Sequence, residues 1–173
     1  MILHDRKLIL NNGKSCYMRS GEAEDSRKLA LYFRQAVQED EPQELQVREV
    51  PDVYQTRRIL LLAWMHRQIV GFGVLYPASP YAHKRHRGQI AVSVLPGHRR
   101  IGIGTMLVQQ LMHCAAKWEY EQIELELRQD NAAAAALYRQ RGFSTRLVRE
   151  QGYKLPQGYT DALVMERRLD YIR

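Results

Sequence analysis

The chain has 173 residues, 45% of them apolar, and 26 Lys and Arg against 19 Asp and Glu give it a net charge of +7. That length suits one domain spanning residues 1–173 with a full core, and it leaves no room for two large domains. No apolar run approaches the ~20 residues that a bilayer-spanning helix needs, so no membrane partner is expected. The basic balance suggests an anionic partner without choosing among nucleic acid, a membrane surface and a polyphosphate cofactor.

In chain order, Met1–Leu10 carries His4, Asp5, Arg6 and Lys7 inside a short apolar pattern. This is unlike a secretory leader, and the cytoplasm is the expected location. Ser15–Arg19 reads as a short strand. Glu24–Gln38 reads as a helix, with Leu29, Phe33, Ala36 and Val37 at helical spacing. Glu41–Val50 is polar and reads as a second short helix or a loop. Ile59–Trp64 and Ile69–Tyr76 read as an antiparallel hairpin around His66-Arg67-Gln68, a turn without the favoured Asn-Gly signal. Pro77 and Pro80 end the second strand, and Tyr81–Gly88 is a basic loop. Gln89–Leu95 is the next strand, broken by Pro96 and Gly97. A helix from Gly102 to Trp118 follows, with Ile103, Leu107, Leu111, Cys114 and Trp118 on one face. Gln122–Arg128 alternates strictly, Ile123, Leu125 and Leu127 against Glu124, Glu126 and Arg128. Asp130 or Asn131 caps an alanine-rich helix through Gln140, and Gly142 stops it. A turn-rich stretch at Gly152–Gly158 precedes a last strand over Thr160–Leu169. Alternating strands and helices predict a mixed α/β domain. Cys16 and Cys114 fit no metal or redox spacing and read as reduced structural thiols.

The richest segment runs from Val92 to Thr105, where a strand ends, a basic loop follows and two glycines open a helix. A helix start offers about four unpaired N–H groups and a partial positive charge. Glycine lets the backbone approach a phosphate without a Cβ in the way, so the segment is a pyrophosphate site, with Arg99 and Arg100 adding charge at its rim. A P-loop requires a lysine that is absent here. A dinucleotide fold requires a third glycine where Leu107 stands, although Glu124 lies at a tempting distance for a ribose contact. A glycine-rich turn without a ligand is the plain alternative.

Arg99-x-x-Gly102-x-Gly104 resembles the coenzyme A loop of the GNAT acetyltransferase superfamily. Glu124-Leu-Glu-Leu-Arg-Gln-Asp-Asn131, then Ala-Leu-Tyr138 and Gly142-Phe143, resemble that family's next strand and helix. The resemblance is strong from Ile69 to Leu169 and includes Tyr159–Met165 as the last long strand. It is similar to bacterial small-molecule and ribosomal-protein N-acetyltransferases. It implies a central, mostly antiparallel sheet splayed at two parallel strands, Gln89–Leu95 and Gln122–Arg128, with helices on both faces. It also implies acetyl-CoA as co-substrate, held by Val92, Ser93, Val94, Arg99, Arg100, Ile101, Gly102, Ile103, Gly104, Thr105, Asn131 and Tyr138. The acceptor is an amine of a small molecule or a protein, and a homodimer is compatible with the family.

An amine attacks a thioester only as the free base, so a base must take its proton, and backbone N–H donors stabilise the oxyanion that forms. The resemblance gives the oxyanion donor to Val94 and the general acid to Tyr138, whose plain alternative is a packing aromatic. It gives the general base to Glu126, whose plain alternatives are a solvated carboxylate or an ion pair with Arg128 on the same face; a water chain is the other route. Glu39, Asp40 and Glu44 suit a cationic substrate or are merely exposed. His83, Lys84, Arg85, His86 and Arg87 form a solvated loop or meet a phosphate or acidic substrate; the two histidines lack ligand partners, and no metal is expected. Two other readings compete: a non-catalytic acetyl-CoA-binding regulatory domain, and a basic nucleic-acid-binding module. Against the second, the arginines are scattered and no binding motif appears, so no nucleic-acid partner is expected.

Overall fold

The computed structural model describes residues 6–38 and 57–169. Contacts divide the chain into two compact units, Met1–Tyr76 with Val92–Leu111, and Pro77–Ala91 with Met112–Arg173.

In the first unit four strands lie side by side in chain order, each antiparallel to the next: β1 Arg6–Ile9, β2 Ser15–Ser20, β3 Ile59–Met65 and β4 Gln68–Pro77. β1 falls where the sequence showed only a short apolar pattern. Its four residues are mostly exposed at the end of the strand order, so no alternating burial marked them. β3 is buried at all seven positions. A strand covered on both faces reads as an unbroken apolar run, as Ile59–Met65 does. Helix α1, Ser26–Gln38, covers one face, where Tyr32 and Phe33 pack edge-on or tilted against Phe72 of β4. Helix α2, Ile103–Lys117, covers the other with its first turns, where Leu107 and Leu111 close on Gly73. Each large apolar side chain buried here contributes about 1.5–3 kcal/mol. The β3–β4 turn is tight: His66 (φ 48°) and Arg67 (φ 63°) are both left-handed, the backbone of the primed hairpin turns, without the usual glycine. Ahead of α1, Asp25 holds Arg19 through two bonds of 2.6 and 2.7 Å. Burial pushes the Asp25 carboxyl up, but the Arg19 hydrogen bonds and charge outweigh it and leave its pKa below the ordinary value.

The second unit has strand order β5-β6-β8-β7, with β5 Arg87–Val94, β6 Gln122–Arg128, β7 Ser144–Leu155 and β8 Gly158–Arg168. β5 and β6 are parallel, as expected. Their registered pairing runs from Arg87↔Gln122 to Gln89↔Glu124 and stops there, while β6 pairs with β8 along its whole length. Among the described residues, β1–β2, β2–β3, β3–β4, β6–β8 and β7–β8 pair antiparallel. Ile123, Leu125 and Leu127 are buried, and the alternate residues of β6 are half-buried. The turn-rich stretch is a correction. Residues up to Leu155 belong to β7, and only Pro156 and Gln157 form the turn into β8. Gly152 and Gln151 (φ 52°) break the register with a bulge rather than ending the strand, and Asp161 accepts the Gln151 N–H at 2.9 Å.

Candidate active site

In the first unit β5 ends at Val94, a 3₁₀ turn occupies Pro96–His98, and α2 begins at Ile103. Leu95 N–H donates to Val70 O at 2.9 Å, so β4 holds the strand end. Arg100 (φ 60°) and Gly102 (φ 101°) are left-handed. Alternation of handedness turns successive backbone N–H groups toward one concavity. The first helical bond of α2 is Met106 N–H to Gly102 O at 3.1 Å. The N–H groups of Ile103, Gly104 and Thr105 therefore precede the helical ladder, at the positive end of a 15-residue helix. This backbone fits a pyrophosphate. The side chains divide the work differently: Ile103 is buried core, 3.3 Å from where a Cβ on Gly71 would stand, and contributes only its backbone. Ile101 is half-buried and its carbonyl accepts from Asn11 N–H at 3.2 Å. Arg100 is exposed, whereas Arg99 turns its Nε back onto Val94 O at 3.0 Å, linking the loop to the strand end.

Two neighbours of this region carried no sequence signal. The β1–β2 turn at Asn11 lies against the loop, and a Cβ on Gly102 would meet the Asn11 side chain at 3.4 Å. Tyr32 of α1 bonds Ser93 Oγ at 2.7 Å. Each is distant in sequence from the loop, and only the tertiary fold brings it there.

The second unit holds the other candidates. Asn131 caps α3, Ala132–Gln140, with Oδ1 accepting from Ala134 N–H at 3.1 Å. Its side-chain oxygen thus has a structural task beside any cofactor contact. Tyr138 is 6% exposed, and its ring meets Phe143 edge-on at 5.6 Å. The motif that carries the two rings is a helix stop. Phe143 N–H bonds Tyr138 O, Gly142 N–H bonds Arg139 O, both at 3.0 Å, and Gly142 is left-handed (φ 82°). That is the Schellman arrangement, in which the residue after the glycine packs on the last inward turn. Glu126 pairs with Arg149 of β7 at 2.5 Å, the two side chains 33% and 56% exposed. Arg128 makes a two-pronged pair with Asp130, and Glu124 pairs with Arg87. Cross-strand register, invisible to a strand read by itself, decides the partners of Glu124 and Glu126, whereas Arg128 meets Asp130 two residues along the chain. The Arg128 hydrogen bond lowers the pKa of Asp130.

The basic loop is a 3₁₀ turn, Ala82–Lys84, with Tyr81 stacked on His83, and Arg87 already lies in β5. Glu39, Asp40, Glu44 and the segment Glu41–Val50 lie outside the described residues. Among the described residues, no group of three or more His, Cys, Asp or Glu is placed to hold a metal ion, and no helix is long and apolar enough to cross a membrane.

A profile of the Acetyltransferase (GNAT) family matches residues 26–143, which include the loop, β6 and the Tyr138–Phe143 stop. The chain belongs to the GNAT acetyltransferase family. Among curated relatives, the [ribosomal protein bS18]-alanine N-acetyltransferase of Salmonella typhimurium is 36% identical over 74 residues, 43% of this chain and 50% of that protein. The match thus spans about half the length of the curated relatives. Among solved structures, the GNAT acetyltransferase of Streptococcus pneumoniae superposes with a TM-score of 0.80 at 20% identity, over 89% of this chain and 99% of that one. The Salmonella typhimurium protein yncA, solved with its cofactor acetyl-CoA, gives 0.77 at 19% identity, over 90% and 94%. At these identities the likeness is one of GNAT fold.

Proposed function

We propose that this protein is an N-acetyltransferase that moves the acetyl group of acetyl-CoA to a primary amine. The observation that carries this reading is the start of α2, where three backbone N–H groups precede the Met106–Gly102 bond behind a loop with two left-handed residues. Residues Arg99 to Thr105 hold the pyrophosphate, the Val92–Val94 backbone pairs with the pantetheine arm, and Asn131 adds a contact. When bound, acetyl-CoA supplies an acyl thioester and, after transfer, a thiolate. Val94 N–H is the donor toward the acyl oxygen. Tyr138 Oη is the proposed proton donor to the departing thiolate.

Chemistry favours a protein α-amine as acceptor. At pH 7 roughly one α-amine in seven is a free base, against about one lysine amine in 2,500. Glu126, 33% exposed and paired with Arg149, is the proposed base, acting directly or through water. The curated relatives, named for an alanine of ribosomal protein bS18, support the same acceptor class.

The test is calorimetry with acetyl-CoA, with ATP and NADH as controls, followed by thiol release with a panel of amines that includes a peptide beginning in alanine. Selective micromolar binding and thiol release are expected. Binding without release from any amine would instead make this a non-catalytic acetyl-CoA-binding domain. No binding would remove the reading altogether. Gly104→Val is expected to abolish binding, because a branched Cβ at the second residue of α2 crowds the phosphate. Retained affinity in that variant would show that the loop does not hold the cofactor.

A further inference from the structure

We infer that Tyr32 is a positioning residue for acyl transfer, holding the end of β5 so that the Val94 N–H is aimed before the acyl group arrives. This rests on the role proposed for Val94 above.

The geometry is local to the first unit. Tyr32 is 2% exposed, its ring wedged edge-on against Phe33 and Phe72 at 5.7 and 5.4 Å. Such packing fixes the direction of the phenol, which ends 2.7 Å from Ser93 Oγ. Side chains alternate along a strand. Ser93 therefore faces α1, while Val92 and Val94 face α2, with their Cγ2 atoms 3.5 and 3.3 Å from where Cβ atoms on Gly73 and Gly71 would stand. The following peptide is held at both ends: Val94 O accepts from Arg99 Nε at 3.0 Å, and Leu95 N–H donates to Val70 O at 2.9 Å. The Ser93 carbonyl is hemmed in by Gly71, whose absent Cβ would lie 3.0 Å from it. Tyr32 adds a restraint through Ser93, on the face opposite α2. The Val94 N–H thus lies between two restrained neighbours.

An oxyanion donor works by being oriented in advance, and losing one costs about 10²–10³ in kcat. Loosening its support costs less. For Tyr32→Phe, which keeps the ring and removes the hydroxyl, we expect kcat to fall about tenfold with the KM of both substrates and the Kd for acetyl-CoA within about twofold of wild type. Because the donor acts on the acyl group, the fall is the same for two unrelated amines. Ser93→Ala is expected to reproduce it, Ser93→Thr to restore most of the rate, and the Tyr32→Phe/Ser93→Ala pair to be no slower than either single variant.

The measurements are steady-state thiol release with two amines, calorimetry with acetyl-CoA, and thermal melting. Wild-type kcat in both single variants overturns the inference. So does a loss confined to acetyl-CoA affinity or melting temperature, which marks Tyr32 as packing only. A loss that differs between amines overturns it in favour of an acceptor contact. Should the wild type itself release no thiol with any amine, the acetyltransferase reading fails first and takes this inference with it.

Discussion

At the scale of single residues, Tyr138 combines two tasks. Its backbone carbonyl and ring form the helix stop with Phe143, while its hydroxyl is the proposed acid. Tyr138→Phe separates them. We expect turnover to fall about 10²-fold or more, within the range of general acid catalysis, with acetyl-CoA affinity and melting temperature near wild type. Unchanged turnover would leave the tyrosine with packing alone. Asp25 is a purely structural counterpart. Its pKa is lowered in the folded state, so its contribution to stability is present above the unfolded value of about 3.9 and is lost as pH falls through the folded value. Asp25→Asn breaks the two-pronged Arg19 bond at a buried carboxylate and is expected to cost about 2–3 kcal/mol at pH 7. Denaturant midpoints should show that gap steady from neutral pH to about pH 5 and closing in stronger acid; a gap that persists undiminished at the lowest pH would contradict the assignment.

At the scale of elements, the glycines of β4 matter because α2 packs directly on them. A Cβ at Gly73 would stand 2.9 Å from Leu111 Cδ1, and Leu111 is fully buried. Gly73→Ala is therefore expected to destabilise by about 1–3 kcal/mol, the usual cost of overpacking, measured by urea unfolding. A neutral or stabilising result would mean that α2 shifts freely. Much of the element pattern was legible in the sequence. β6 alternates cleanly because one face is core, and α2 shows its apolar stripe. β1 was not legible, because it lies at the end of the strand order and buries too little to imprint a pattern. β7 was not legible either, since all of its first nine residues are exposed and no alternation could develop. Its bulge at Gly152 reads locally as a turn, and only the approach of Ala162, whose Cβ lies 2.5 Å from the missing one, explains the glycine.

At the scale of the whole molecule, the excess of 26 basic over 19 acidic residues suits an anionic co-substrate. Raising the ionic strength from about 0.05 to 0.5 M should weaken acetyl-CoA binding several-fold while leaving kcat at saturation nearly unchanged, because screening acts on encounter and phosphate contact. Salt-independent affinity would assign the cationic surface elsewhere. The sequence by itself determined the mixed α/β class and the helix opened by two glycines. Both rest on short-range physics: period-2 or period-3.6 burial, and glycines at a helix N-terminus. The parallel pairing of β5 with β6 was expected from the family resemblance of the two segments, not from any local pattern. The tertiary structure alone decided who partners whom. It gave Glu126 to Arg149, and brought Asn11 to the loop and Tyr32 to Ser93. Those contacts depend on strand register and helix packing across many residues, and no local pattern encodes them.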